Sequence, residues 1–297
     1  MMDRRHFLHT TLAGAALGAT AKAAHAIEPI RRTGRPLFKL ALAAYSFRQA
    51  LDLKQTKPAM TLLDFIDYSA GLPLDGVELT GYYFAETTPG YLAALKGRAT
   101  RLGLDISGTA VRSDFCLADE EQRKLQIEHV KRWTEITARL GGKTMRIFAG
   151  TTPRGDTDAQ AVRRCIDAVQ ECCAHAGQWG VLLALENHGG ITATADLTLE
   201  IVRGVKSDWF GVNLDTGNFK TDDPYADLEK LAPYAVVVQL KTEIQRRGQK
   251  SEEADLKRKL DMLRKVNFRG YVVLEYEAAE DAKVAVPRYA RQLREML

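Results

Sequence analysis

Eight short apolar runs recur along this chain, each followed by a longer amphipathic stretch, and that rhythm limits the fold more than any other feature. Their C-terminal ends fall near residues 45, 78, 109, 146, 186, 215, 239 and 275. The mean step of about 33 residues is the length of one strand with its returning helix. The expected strands are Phe38–Ser46, Gly76–Leu79, Asp105–Thr109, Lys143–Phe148, Val181–Glu186, Phe210–Asp215, Ala235–Gln239 and Tyr271–Glu275. Helical patterns fill the gaps, as over Glu120–Leu140, Asp158–Trp179, Asp196–Val205 and Glu252–Val266. Gly141 and Gly180 follow two of them, where a left-handed glycine stops a helix. Runs such as Val181-Leu182-Leu183-Ala184-Leu185 are apolar throughout, as in parallel sheets covered on both faces. Eight such units predict an α/β fold, a single (β/α)8 TIM barrel over residues 37–297. A doubly wound open sheet is the rival, but its first strand usually leads into a glycine-rich phosphate loop. Here the first strand leads into Ala44-Tyr45-Ser46-Phe47-Arg48.

The barrel is expected to begin late because the N-terminus reads as a leader. Asp3-Arg4-Arg5-His6-Phe7-Leu8 resembles the twin-arginine export motif, and an apolar Ala/Gly-rich stretch runs from Thr10 to Ala21. Ala24-His25-Ala26 supplies small residues at the spacing a signal peptidase reads. The stretch is shorter than the roughly 20 apolar residues of a stable bilayer anchor. Residues 1–26 are therefore expected to be a cleaved signal peptide and residues 27–36 an exposed connector. The mature protein is expected to be periplasmic or otherwise exported by the twin-arginine machinery, with no stable membrane anchor.

Removing the leader changes what the composition means. The whole chain carries 42 Lys+Arg, 38 Asp+Glu and six His, a net charge of +4. The leader contains Arg4, Arg5, Lys22 and Asp3, so the mature charge is only +2, and His129, His175 and His188 are the histidines left. So small a charge argues against a nucleic-acid partner. Four cysteines are too few for a disulfide scaffold. Cys165, Cys172 and Cys173 share one helix face with Val162, Ile166, Val169 and Ala176, and read as small buried hydrophobes.

Barrel enzymes build their sites at the C-terminal ends of the strands. Glu186, Asp215 and Glu275 each follow an apolar run directly. Three carboxylates converging on one mouth repel one another unless a cation neutralises them. Oxygen donors of this kind suit Mn2+ or Mg2+, with Co2+ or Zn2+ as further options. Gln239 could add an amide oxygen. His188 lies two residues beyond Glu186, before the tight Gly189-Gly190 loop, and Lys241 lies two residues beyond Gln239, hence on the same side of its strand. They are candidates to bind a substrate hydroxyl, oxyanion or carboxylate, and Lys241 could instead pair with Glu277 or Glu243. Tyr45, Glu78, Arg112 and Arg146, at or after strands one to four, are further candidates for substrate contact. No glycine-rich phosphate cradle is present, which favours a neutral sugar over a sugar phosphate.

These residues resemble those of the xylose-isomerase-like TIM barrels, a superfamily of sugar isomerases and epimerases that also includes endonuclease IV. The resemblance is strongest from Val181 to Glu277. It implies a divalent metal held by Glu186, Asp215, Gln239 and Glu275, with Glu186 and Glu275 doubling as the acid/base pair. Two positions depart from the pattern. Gln239 stands where the family has His, in Gln239-Leu240-Lys241, and Asn218 stands where Asp-x-x-His has its His. Three histidines cannot build the zinc cluster of an endonuclease. The resemblance implies a metal-dependent isomerase or epimerase that moves a proton beside the carbonyl of a ketose or keto-sugar. A lyase of 3-keto-glycosides in glycan breakdown and a non-catalytic sugar-binding barrel are the alternatives. A homo-oligomer is compatible with all three.

Overall fold

The protein is described by a computed structural model covering residues 27–56 and 58–297. The leader expectation falls on residues 1–26, outside the described residues. Eight parallel strands close into a barrel: β1 (Leu37–Ala43), β2 (Gly76–Thr80), β3 (Asp105–Ala110), β4 (Thr144–Ile147), β5 (Leu182–Glu186), β6 (Phe210–Asp215), β7 (Ala235–Leu240) and β8 (Arg269–Leu274). Each strand pairs with its sequence neighbours, and β8 closes the ring on β1, with Leu37 opposite Arg269 and Leu42 opposite Leu274.

Eight helices cover the outside: α1 (Leu62–Ala70), α2 (Pro89–Arg101), α3 (Glu120–Leu140), α4 (Asp158–Trp179), α5 (Ala195–Gly204), α6 (Pro224–Leu231), α7 (Leu256–Lys265) and α8 (Ala282–Met296). Their ends follow local chemistry. Thr61 and Thr157 open α1 and α4 with reciprocal capping boxes. Gly141 and Gly180 close α3 and α4 at φ values of 84° and 66°. Cys165, Cys172 and Cys173 are buried free thiols on α4, as small hydrophobes on a core-facing stripe should be. Among the described residues no helix is long and apolar enough to cross a membrane.

Alternation along the strands separates two interiors. One set of side chains packs between barrel and helices. The other points down the barrel axis, where Ala41, Ala43, Ala184, Val237, Tyr271 and Val273 fill the narrow centre. One step further along the same inward rows come Glu186 above Ala184, Gln239 and Lys241 above Val237, and Glu275 above Val273. The pleat of the strands thus delivers the polar set to the mouth on a floor of small apolar residues.

The structure revises two boundaries. β1 stops at Ala43, and Ala44–Phe47 forms a 3-10 turn rather than more strand. The expected helix over Glu252–Val266 begins only at Leu256, because Asp255 caps it by accepting from the Arg258 amide at 2.8 Å. Glu252–Glu253 instead pairs antiparallel with Glu243–Ile244, so a hairpin follows β7. Residues 27–36 form no helix or strand and are mostly exposed. They are nevertheless anchored: the Ile30 amide donates to the Pro233 carbonyl at 3.0 Å, and the Arg32 guanidinium donates to the Ala235 carbonyl and stacks over Phe268.

Candidate active site

A cavity of about 420 Å³ opens at the C-terminal mouth of the barrel. Seven of the ten residues singled out from the sequence line it: Tyr45, Arg112, Arg146, Glu186, His188, Lys241 and Glu275. The other three, Glu78, Asp215 and Gln239, are buried and are not part of its lining. Gln239 and Asp215 contact lining residues, and Glu78 is tied to them through Gln239. The Gln239 amide donates to Glu78 at 3.0 Å and Glu275 at 3.4 Å, and Asp215 lies 3.5 Å from the Lys241 ammonium.

The two cavity carboxylates have different partners. Glu186 lies 2.8 Å from the Arg146 Nε and accepts from the Asn218 amide at 2.9 Å and the Asn213 amide at 3.2 Å. Glu275 lies 2.6 Å from the Lys241 ammonium, which also contacts Glu277. β5 and β8 are three positions apart in the eight-membered ring, so these carboxylates enter from nearly opposite walls.

Lys241 is held from several sides. Its backbone amide donates to the Thr216 hydroxyl at 3.0 Å, and its carbonyl accepts from the buried Lys259 ammonium at 2.9 Å. Gly217 leaves room for its stem, since a Cβ there would come within 2.7 Å of the Lys241 Cβ and Cγ. The Asn187 side chain clamps β6, donating to the Asp215 carbonyl and accepting from the Asp215 amide, both at 2.9 Å.

Aromatic rings form the cavity's other wall. His188 stacks on Phe148 with centroids 4.1 Å apart, and the Arg146 guanidinium covers the Phe148 ring at 4.0 Å. Tyr45 meets Tyr82 edge-on, and the exposed Arg112 lies over Tyr82 at 4.9 Å. Tyr82, Phe148, Asp114 and Gln126 were not singled out from the sequence. Phe148 is two residues beyond Arg146, and that spacing alone could have found it. Tyr82 sits in a 3-10 turn after β2, Asp114 in the loop after β3 and Gln126 on α3, and no motif marks any of them.

The family model described as xylose isomerase-like TIM barrel matches residues 66–297. This chain belongs to that family. No curated protein matches the chain in sequence. Among solved structures, D-psicose 3-epimerase from Clostridium cellulolyticum H10, determined with D-tagatose, has a TM-score of 0.69 at 15% identity, covering 86% of this chain and 98% of its own. The apo 3-keto-D-glucoside 4-epimerase YcjR from E. coli scores 0.66 at 16% identity, covering 88% and 100%. The probable 3-DHS dehydratase AsbF from Bacillus anthracis scores 0.63 at 18% identity, covering 86% and 98%. At these identities the likeness is one of fold.

Within this xylose isomerase-like barrel, the ligand set implied by the resemblance does not assemble as a metal centre. Among the described residues no group of three His, Cys, Asp or Glu side chains is arranged to hold a metal ion. The Gln239 oxygen accepts from the Asn213 amide at 2.6 Å, so the face it turns to Glu78 and Glu275 is its NH2. Turning the amide over would set its oxygen against two carboxylates and its NH2 against another NH2. Asp215 and Glu275 already share Lys241, and Glu186 faces Arg146. Side-chain cations thus neutralise part of the carboxylate repulsion.

Two cations do not balance four buried carboxylates, and protons take up the difference. Burial, reinforced by Glu275, pushes Glu78 up to about 7. Burial pushes Asp215 up to about 6 against the pull of Lys241. Glu186 is also driven well above the usual carboxylate range by burial, although Arg146 opposes the shift. Burial pulls the Lys241 ammonium down, but Asp215, Glu275 and Glu277 together hold it well above its ordinary value. Burial, helped by Arg146 and Lys241, lowers His188, so at neutral pH it presents a neutral imidazole that can both donate and accept.

Lys259 is wholly buried, and burial lowers its ammonium to about 7. Between that value and the ordinary one near 10.5 the unfolded chain binds a proton that the folded chain lacks, so this group's contribution to stability rises with pH. Relative to Lys259→Met, the wild-type protein is expected to gain about 1.4 kcal/mol per pH unit across that window. Urea unfolding of both proteins at pH 7, 8 and 9 measures it, and a difference independent of pH would show that Lys259 stays charged in the fold.

Proposed function

We propose that the protein is a sugar isomerase or epimerase that moves a proton on the carbon beside the carbonyl of a ketose or keto-sugar. The observation that carries this reading is the entry of Glu186 and Glu275 into one cavity from nearly opposite walls, in environments that set them apart. Paired titratable groups with divergent surroundings mark acid and base. Glu275, ion-paired with Lys241, is the base. Glu186, whose burial favours the protonated form, is the acid on the other side.

In the forward step the Glu275 carboxylate takes the proton from carbon, the C–H pair becomes a C=C bond, and the carbonyl oxygen gains the negative charge. Glu186 then delivers its proton to the opposite face of that carbon, the C=C pair forms the new C–H bond, and the carbonyl returns. Arg146 stabilises the Glu186 carboxylate left behind. His188, neutral and stacked on Phe148, is placed to hold a hydroxyl. The aromatic wall of Tyr45, Tyr82 and Phe148 suits the apolar faces of sugar rings.

The breadth of the cavity, which extends past the two carboxylates to Tyr82, Arg112 and Gln126, favours a second reading. On a 3-keto-glycoside the same proton removal could be followed by loss of the aglycone from the neighbouring carbon, with Glu186 protonating the departing oxygen. Product analysis on free ketoses and 3-keto-glycosides separates the readings. Epimerised sugar without release is the expected result, and aglycone release would assign the lyase. Sugar binding without either product would leave a non-catalytic binding barrel.

A further inference from the structure

The cation between Asp215 and Glu275 is a side chain of this protein, and its placement is overdetermined. The Lys241 ammonium lies 2.6 Å from Glu275 and 3.5 Å from Asp215, and it contacts Glu277. Its backbone is fixed by Thr216 and Lys259, and Gly217 makes room for its stem. The lysine nevertheless lines the cavity beside Glu275. The neighbouring amide of Gln239 turns its NH2, not its oxygen, toward the carboxylates.

We infer that Lys241 fills the position of the divalent ion and is the electrophile of the reaction. Its ammonium, not a metal, hydrogen-bonds the substrate carbonyl and carries the charge of the enolate. This deepens the proton-transfer reading and rests on it for the catalytic half. As Glu275 removes the proton, negative charge develops on the carbonyl oxygen, and a Lys241 N–H faces it. No proton need leave Lys241: reprotonation of the carbon by Glu186 returns the carbonyl, and Glu275 then gives its proton to water while Glu186 regains one, which resets the pair. A fixed charge aimed at a developing oxyanion in a site shielded from water gives strong transition-state stabilisation. A divalent ion in the same place would have to displace an ammonium already neutralising its ligands.

The test reads metal binding without substrate and then activity without metal. Dialysed wild-type protein and Lys241→Ala are titrated with Mn2+ by calorimetry, with the thermal midpoint followed in parallel. Wild type is expected to bind no Mn2+ at the site and to keep its midpoint. Lys241→Ala, with Asp215, Glu275 and Glu277 uncovered, is expected to bind about one Mn2+ per chain, at least about tenfold more tightly than wild type. Lys241→Gln serves if the alanine variant fails to fold. One Mn2+ per wild-type chain overturns the inference. So does absence of binding in both proteins, because Lys241 would then not be what occupies the position. With an active sugar, wild-type solvent deuterium exchange is expected to survive EDTA, whereas Lys241→Gln should lose at least about a hundredfold. Loss of wild-type exchange on chelation overturns the electrophile role. If wild type exchanges no sugar with or without Mn2+, the proton-transfer reading and the electrophile role fall together, while the Mn2+ titrations still decide who holds the position.

Discussion

Replacing Glu275 by glutamine is expected to reduce solvent deuterium incorporation beside the substrate carbonyl by about 10²- to 10⁴-fold, the usual contribution of a positioned proton carrier. The substitution preserves shape and keeps an oxygen toward the Lys241 ammonium, now 2.6 Å from the carboxylate. It removes the ability to accept a proton together with one of the charges paired with Lys241. Lys241 retains Asp215 and Glu277 as counter-ions, so the fold should survive, with circular dichroism unchanged and the thermal midpoint moved by a few degrees. Exchange is followed by NMR in D2O on whichever keto-sugar the wild type turns over. Glu186→Gln gives the complementary result if the carboxylates work from opposite faces. Exchange started by Glu275 should persist in that variant while inversion is lost. Wild-type exchange in the Glu275 variant would remove this residue from the mechanism.

The parts of this picture that were legible in the sequence depend on period, and the rest depend on register. The βα rhythm located all eight strands, because apolar runs and glycine stops are written residue by residue. Alternation placed Gln239 with Lys241 on one inward row. Seven of the ten candidate side chains reach the cavity, the strand-borne ones by alternation and Tyr45, Arg112 and His188 because they follow strand ends. Alternation does not say how high each inward residue stands on its tilted strand, and that height buries Glu78, Asp215 and Gln239 out of the lining. Nor does it say which cation meets which anion. Three carboxylates at strand ends need a positive charge, and composition alone points to a metal as its source. Arg146 on β4 and Lys241 after β7 read from sequence as substrate contacts, and only the register of β4 beside β5 shows one of them neutralising Glu186. The hairpin after β7 was hidden because Glu252–Val266 has helical composition, and the Asp255 cap decides where the helix starts.

Arg146 gives the sharpest test of that electrostatic balance. It is almost wholly buried, lies 2.8 Å from Glu186, and donates to the Val111 carbonyl at 2.8 Å and the Tyr82 hydroxyl at 3.1 Å. Arg146→Met keeps much of the packing over Phe148 but leaves Glu186 without its cation. Removing one partner of a buried pair costs about 3–5 kcal/mol, which for a domain of this size lowers the midpoint by on the order of 10 °C. The pH dependence follows from Glu186, which burial already raises in the wild type. Without Arg146 it rises further, so the folded variant holds a proton that the unfolded chain has released, and the variant loses stability as pH increases. The deficit relative to wild type should therefore be smallest near pH 5 and grow toward pH 8. The double variant Arg146→Met/Glu186→Gln removes the stranded charge together with its partner. It should recover part of the loss and show little of the pH dependence. Urea melts of the four proteins at both pH values complete the double-mutant cycle. A coupling energy near zero would mean that the Arg146–Glu186 contact contributes geometry and little energy, and that the carboxylates at this mouth are neutralised by protons alone.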